Sequence, residues 1–117
     1  MEKLIEVEIK GQTYTLVSKR SLIVRLKKHI PNIDKIRDLE EDRDIELAVA
    51  IYDNMDWIFF EMLTIKQPEI TKKESDKIFD AFYEEYEDAE ESILSLIVSV
   101  FDKGIPNKQK KRLNWFK

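Results

Sequence analysis

The chain has 117 residues, 43% of them hydrophobic and 38% charged, with a formal net charge of -4. That length fits one domain with a continuous core, and the apolar share suits a packed fold rather than a disordered chain. The acidic balance argues against a dedicated DNA or RNA binder, and the absence of cysteine excludes disulfides, thiolate metal ligands and cysteine nucleophiles.

Leu4, Ile5, Val7 and Ile9 alternate with Glu6, Glu8 and Lys10, and Tyr14 and Leu16 alternate with Thr13, Thr15 and Val17. Period two with β-branched enrichment predicts two strands. Gly11 lies between them and can take the positive φ of a tight turn, so a hairpin is expected over residues 3–17. Ser18 follows at once and can cap a helix. Leu22, Ile23, Leu26 and Ile30 then recur at helical spacing, with Lys19, Arg20, Arg25, Lys27 and Lys28 covering the other side. Pro31 ends that helix and can open the next, for which Ile33, Ile36 and Leu39 supply a short stripe. The mixed-charge stretch DLEEDRD reads as a connection.

Residues 44–66 predict the strongest helix. Leu47, Ala48, Ile51, Tyr52, Met55, Ile58, Phe59, Met62 and Leu63 share one broad arc, wide enough for a core face rather than a coiled-coil seam. Glu46, Asp53, Asn54, Glu61 and Thr64 fill the opposite arc, and Trp57 and Phe60 fall among them. Two readings explain these aromatics. The hairpin covers them, which is the favoured expectation, or they form a patch for a partner. Pro68 then breaks the chain, and Thr71 with Glu74 has the spacing of a capping box. Ile78, Phe79, Phe82 and Tyr86 form the next stripe. Asp88 and Glu91 repeat the capping spacing, so either a further helix begins near Asp88 or one helix runs through. Ile93, Leu96, Ile97, Val100 and Phe101 make the last stripe, which Gly104 and Pro106 stop. With only two glycines and three prolines in the chain, this punctuation predicts long helices. The expected fold is mainly α with a small N-terminal β-hairpin, an α+β chain whose four to five helices form a compact bundle. Residues 1–106 would be a single domain and residues 107–117 a basic, aromatic tail.

The residues that could carry chemistry are few. His29 is the only histidine and reads as a solvated side chain at a helix end, since a catalytic base needs a positioned partner. The stretch DAFYEEYEDAEES holds seven acids and no base. Helical spacing places Asp80, Glu84, Glu87 and Glu91 roughly along one face. That face reads first as solvated, next as a docking surface for a basic partner, and last as a cation site, because a calcium loop needs a glycine turn that is missing here. The tail carries Lys108, Lys110, Lys111, Arg112 and Lys117 with Trp115 and Phe116. Basic residues beside aromatics can bind single-stranded nucleic acid, but one short cluster in an acidic chain points first to protein contact, either with its own acidic helix or with another copy, and next to a plain disordered tail. Two glycines cannot build a phosphate loop, and no serine has a histidine partner suggestive of a triad. No catalytic, metal-binding or cofactor-binding residue is therefore expected. No stretch approaches the ~20 apolar residues of a membrane span. The opening MEKLIEVEIK lacks a signal-peptide core, so the chain is expected to work in the cytoplasm where it is made.

In the order of its elements the sequence resembles the tail assembly chaperones of long-tailed bacteriophages and prophages. The likeness lies in the strand, Gly-x-x-Tyr, strand opening IEVEIKGQTYTLV, with Gly11 and Tyr14, and in the leucine-bearing helix SLIVRLKKHI. A long apolar helix, the breaker and cap KQPEITKKE with Pro68, Thr71 and Glu74, and two further helices complete it, over roughly residues 3–105. The resemblance implies a non-enzymatic protein that coats the aggregation-prone tape measure protein before the tail tube forms, with the tail tube protein as a second candidate partner. It would act in the cytoplasm of the bacterial host and be missing from the mature virion. Many copies would line a helical client. Trp57, Phe60, Trp115 and Phe116 are the candidate apolar contacts, with Lys110, Lys111 and Arg112 beside them. The acids Asp80, Glu84, Glu87 and Glu91 would meet the basic tail of the next copy in a homo-oligomer. The rival readings are a prophage-encoded regulatory or nucleic-acid-binding accessory protein and a structural tail-completion protein.

Overall fold

The computed structural model describes residues 2–33 and 45–101. An antiparallel hairpin of β1 (Glu2–Ile9) and β2 (Gln12–Lys19) leads into α1 (Arg20–Leu26), α2 (Ile45–Asp53), α3 (Met55–Leu63), α4 (Lys72–Glu85) and α5 (Ala89–Phe101). This is the α+β arrangement expected of the sequence, with five helices among the described residues. The expected short helix around Ile36 and Leu39, the stop at Gly104 and the tail lie outside them, as do the side chains of Val100 and Phe101.

The hairpin turns on Lys10 and Gly11, both with positive φ, 54° and 78°. Two left-handed residues in a two-residue loop match the twist of the flanking strands. A Cβ on Gly11 would meet nothing within 4 Å, so only backbone conformation opposes a side chain there. Gly11→Ala is expected to cost about 1–2 kcal/mol, read from the urea midpoint. In β1 the residues facing the core are Ile5, Val7 and Ile9, opposite Leu16, Tyr14 and Gln12, while Leu4 turns to solvent. Near the end of β2, Leu16, Val17 and Ser18 are all buried, and since successive side chains point to opposite faces, the strand is covered on both.

Ser18 does not cap α1. It pairs with Lys3 inside the strand, the helix begins after Lys19, and no side chain bonds that first turn. Pairing holds the backbone extended for two residues more, through Lys19, than the hydrophobic alternation indicates. The Ser18 hydroxyl is buried and, among the described residues, has no hydrogen-bond partner. Ser18→Ala is therefore expected to leave stability unchanged or raise it by up to about 1 kcal/mol. A loss of that size in chemical denaturation would indicate a capping role.

The expected helix over 44–66 is two helices. Asn54, at φ -111° and ψ 18°, interrupts it. Its Nδ2 donates to the Ala50 carbonyl at 2.8 Å, and its backbone N–H bonds Ala50 and Ile51. A short amide that competes for a carbonyl one turn back is how such residues disturb a helix. The far end stops at Leu63, where the Thr64 hydroxyl takes the Phe60 carbonyl and the Gln67 amide takes the Leu63 carbonyl. The predicted capping box is present. Glu74 N–H donates to Thr71 Oγ1 at 3.1 Å, and Thr71 N–H donates to Glu74 Oε1 at 2.9 Å. Between α4 and α5 the chain breaks at Tyr86, which is extended. A continuous helix would stack Glu84 on Asp88 and Glu87 on Glu91, like charges one turn apart.

Helix α3 sits centrally, against β2, α1, α2, α4 and α5, while α5 and α4 close on the hairpin. Ile58, Phe59, Met62 and Leu63 are fully buried, and Leu22, Leu26, Ile30, Phe82, Ile93 and Ile97 complete the core around them. Tyr52, expected in the core arc, is half exposed instead.

Candidate protein-binding surface

Helix spacing sends Trp57 and Phe60 away from the buried side of α3, yet both are half buried. The Trp57 indole stacks on His29, with ring centroids 4.9 Å apart and planes 15° from parallel. Lys72 Nζ stands 4.5 Å from the indole centroid, and Phe60 meets it edge-on at 5.8 Å. The cover found on this tryptophan thus comes from the turn after α1 and the first residue of α4, where the sequence pointed to the hairpin. His29, expected in solvent, is one of its covers.

Lys72 is held tightly over that ring. Its ammonium donates to Asp56 at 2.9 Å and to Asp76 at 2.7 Å. Partial burial pulls its pKa down, but the hydrogen bonds and charges of Asp76 and Asp56 outweigh this and set it above the ordinary lysine value. Arg25 Nε reaches Glu61 at 2.7 Å and ties α1 to α3 on the same flank. These contacts fix Trp57 as part of a polar-edged structural joint, because its ring area is already shared with a cation and two other rings.

Asp80, Glu84, Glu87 and Glu91 are all exposed. They do not form one helical face. Asp80 and Glu84 belong to α4, Glu87 lies in the break, and Glu91 opens α5. Lys110, Lys111, Arg112, Trp115 and Phe116 lie outside the described residues. Among the described residues no three histidine or carboxylate side chains are grouped so as to hold a metal ion, and no helix is long and apolar enough to cross a membrane.

The hydrophobic surface that the structure exposes is elsewhere. Val24 of α1 and Leu4 of β1 stand exposed singly, Ile45, Val49 and Tyr52 of α2 are 64%, 50% and 50% exposed, and Tyr83 of α4 is 45% exposed. The signal was present in the sequence: α2 is apolar on nearly every side, and a helix of this kind packed on one flank must leave the other bare. The Tyr83 hydroxyl donates to Glu90. That bond first, then partial burial and the charges of Glu90 and Tyr52, raise its pKa from the ordinary 10.0 to about 12. The folded chain holds this proton longer than the unfolded one. Its stabilising contribution is complete below pH 10 and is lost as pH rises toward 12. Tyrosinate absorbance should show one late-titrating tyrosine, and Glu90→Gln should return it toward the ordinary value.

In comparisons with known proteins, no family model matches the chain, and neither a curated protein nor a solved structure matches it.

Proposed function

We propose that the chain is a non-enzymatic assembly chaperone of a long-tailed phage or prophage. In this reading it binds the tape measure protein, shields its apolar helical stripes until the tail tube surrounds it, and works in the bacterial cytoplasm without entering the mature virion. The observation that carries the reading is the order of elements. A hairpin turning beside Gly11 and Tyr14 runs straight into leucine-bearing α1, followed by the apolar α2–α3 run, the Pro68 breaker with its Thr71–Glu74 capping box, and two closing helices. The resemblance implies this order with one long apolar helix where the structure has α2 and α3 divided at Asn54. The exposed apolar side chains of α2 add support, since a protein that works by covering another needs apolar surface of its own.

The test is co-expression with the tape measure protein of the same phage genome. The client is expected to stay soluble and to co-purify with the chain, and purified virions should lack the chain by mass spectrometry. A client whose solubility and recovery do not change would overturn the reading. Salt-dependent DNA retardation would favour a regulatory protein, and stoichiometric presence in virions a tail-completion protein.

A further inference from the structure

The outward side of α2 presents Ile45, Val49 and Tyr52 at i, i+4 and i+7, one straight stripe along the helix. The borders of this stripe carry a single sign of charge. Glu46 and Asp53, both exposed, follow one edge of α2. Neither α2 nor α3 contains a base, and none occurs between residues 78 and 101.

We propose that this acid-bordered stripe is the seat for residues 107–117 of a second copy of the chain. That segment is its chemical complement, with five bases, no acid, and Leu113, Trp115 and Phe116 as apolar anchors. Apolar contact supplies the affinity, and opposite charge supplies register and a faster encounter. Every copy carries both the stripe and the segment, so each copy can serve as donor to the next. One tail-to-stripe contact per copy is a head-to-tail contact, and it closes into a ring or propagates as a filament. The inference stands independently of any client.

Sedimentation velocity of the full-length chain over rising concentration tests it. The chain is expected to self-associate, less so as salt rises. Two charge reversals, Lys110→Glu/Lys111→Glu/Arg112→Glu and Glu46→Lys/Asp53→Lys, should each weaken association by about tenfold or more. Combining both sets in one chain should restore it, because the signs are then exchanged. Val49→Glu should weaken association with unchanged circular dichroism. A chain that stays monomeric at every concentration, a tail reversal that assembles like the parent, or a combined variant that fails to recover would each overturn the proposal. So would a tail effect on thermal stability that is independent of concentration, which would assign the seat to the chain's own segment.

Discussion

Phe59→Ala is expected to lower the unfolding free energy by about 3–5 kcal/mol, the upper range for a single core truncation. Phe59 is fully buried at the centre of α3. Its ring lies 5.1 Å from Phe79 and 5.7 Å from Phe82, so one side chain joins α3 to two successive turns of α4. Truncation removes the transfer energy of the ring and leaves a void that Phe79 and Phe82 cannot fill without leaving their own packing. The neighbouring Phe60 is half buried and meets Trp57 by its edge alone among the ring contacts described. Phe60→Ala should therefore cost about 1 kcal/mol or less. Urea denaturation of the two variants separates the predictions, and equal losses would contradict the packing described for α3.

Gln67→Ala is expected to cost about 2 kcal/mol and to loosen the hairpin specifically. A two-stranded sheet has two open edges, and the outer edge of β2 needs partners where helices cover it. Gln67 supplies them. Its Oε1 accepts from Thr15 N–H at 3.0 Å, and its Nε2 donates to the Thr15 carbonyl at 3.1 Å. The same amide also reaches the Leu63 carbonyl, so a single side chain seals the sheet edge and the end of α3. Hydrogen exchange at Thr15 should accelerate in the variant far more than at Phe59. Gln67→Glu makes a finer test. The introduced carboxylate can accept from Thr15 N–H but faces two carbonyl oxygens, which favours its protonated form and raises its pKa. Its stability deficit should therefore shrink as pH falls into the carboxylate range, whereas that of Gln67→Ala should not. Two further ties moor the hairpin, from Tyr86 Oη to the Glu8 carbonyl at 2.8 Å and from Lys10 N–H to Glu85 at 2.9 Å. Gln67→Ala should thus leave the global transition cooperative.

Much of the fold is legible because it rests on interactions between near neighbours. The turn at Gly11, the reciprocal bonds of Thr71 and Glu74, and the 3.6-residue recurrence of Ile58, Phe59, Met62 and Leu63 each involve residues a few positions apart. The break at Asn54 is of the same local kind, since a short amide amid apolar helix formers competes for a backbone carbonyl. The exposed stripe was harder to see. Tyr52 shares the apolar arc of Leu47 and Ile51, and a helical wheel does not say how much of a wide arc a neighbour will cover.

What the sequence determined by itself was therefore the list of elements, their order and the residues able to face a core, through backbone preference and periodicity. The tertiary structure alone decided that His29 and Lys72 shelter Trp57, that Gln67 stands where a third strand would pair, and that Ile45, Val49, Tyr52 and Tyr83 remain in water. These outcomes depend on which surfaces meet across tens of residues. That choice is made by the shape and volume of all the packed elements together, and it leaves no periodic mark on any one segment.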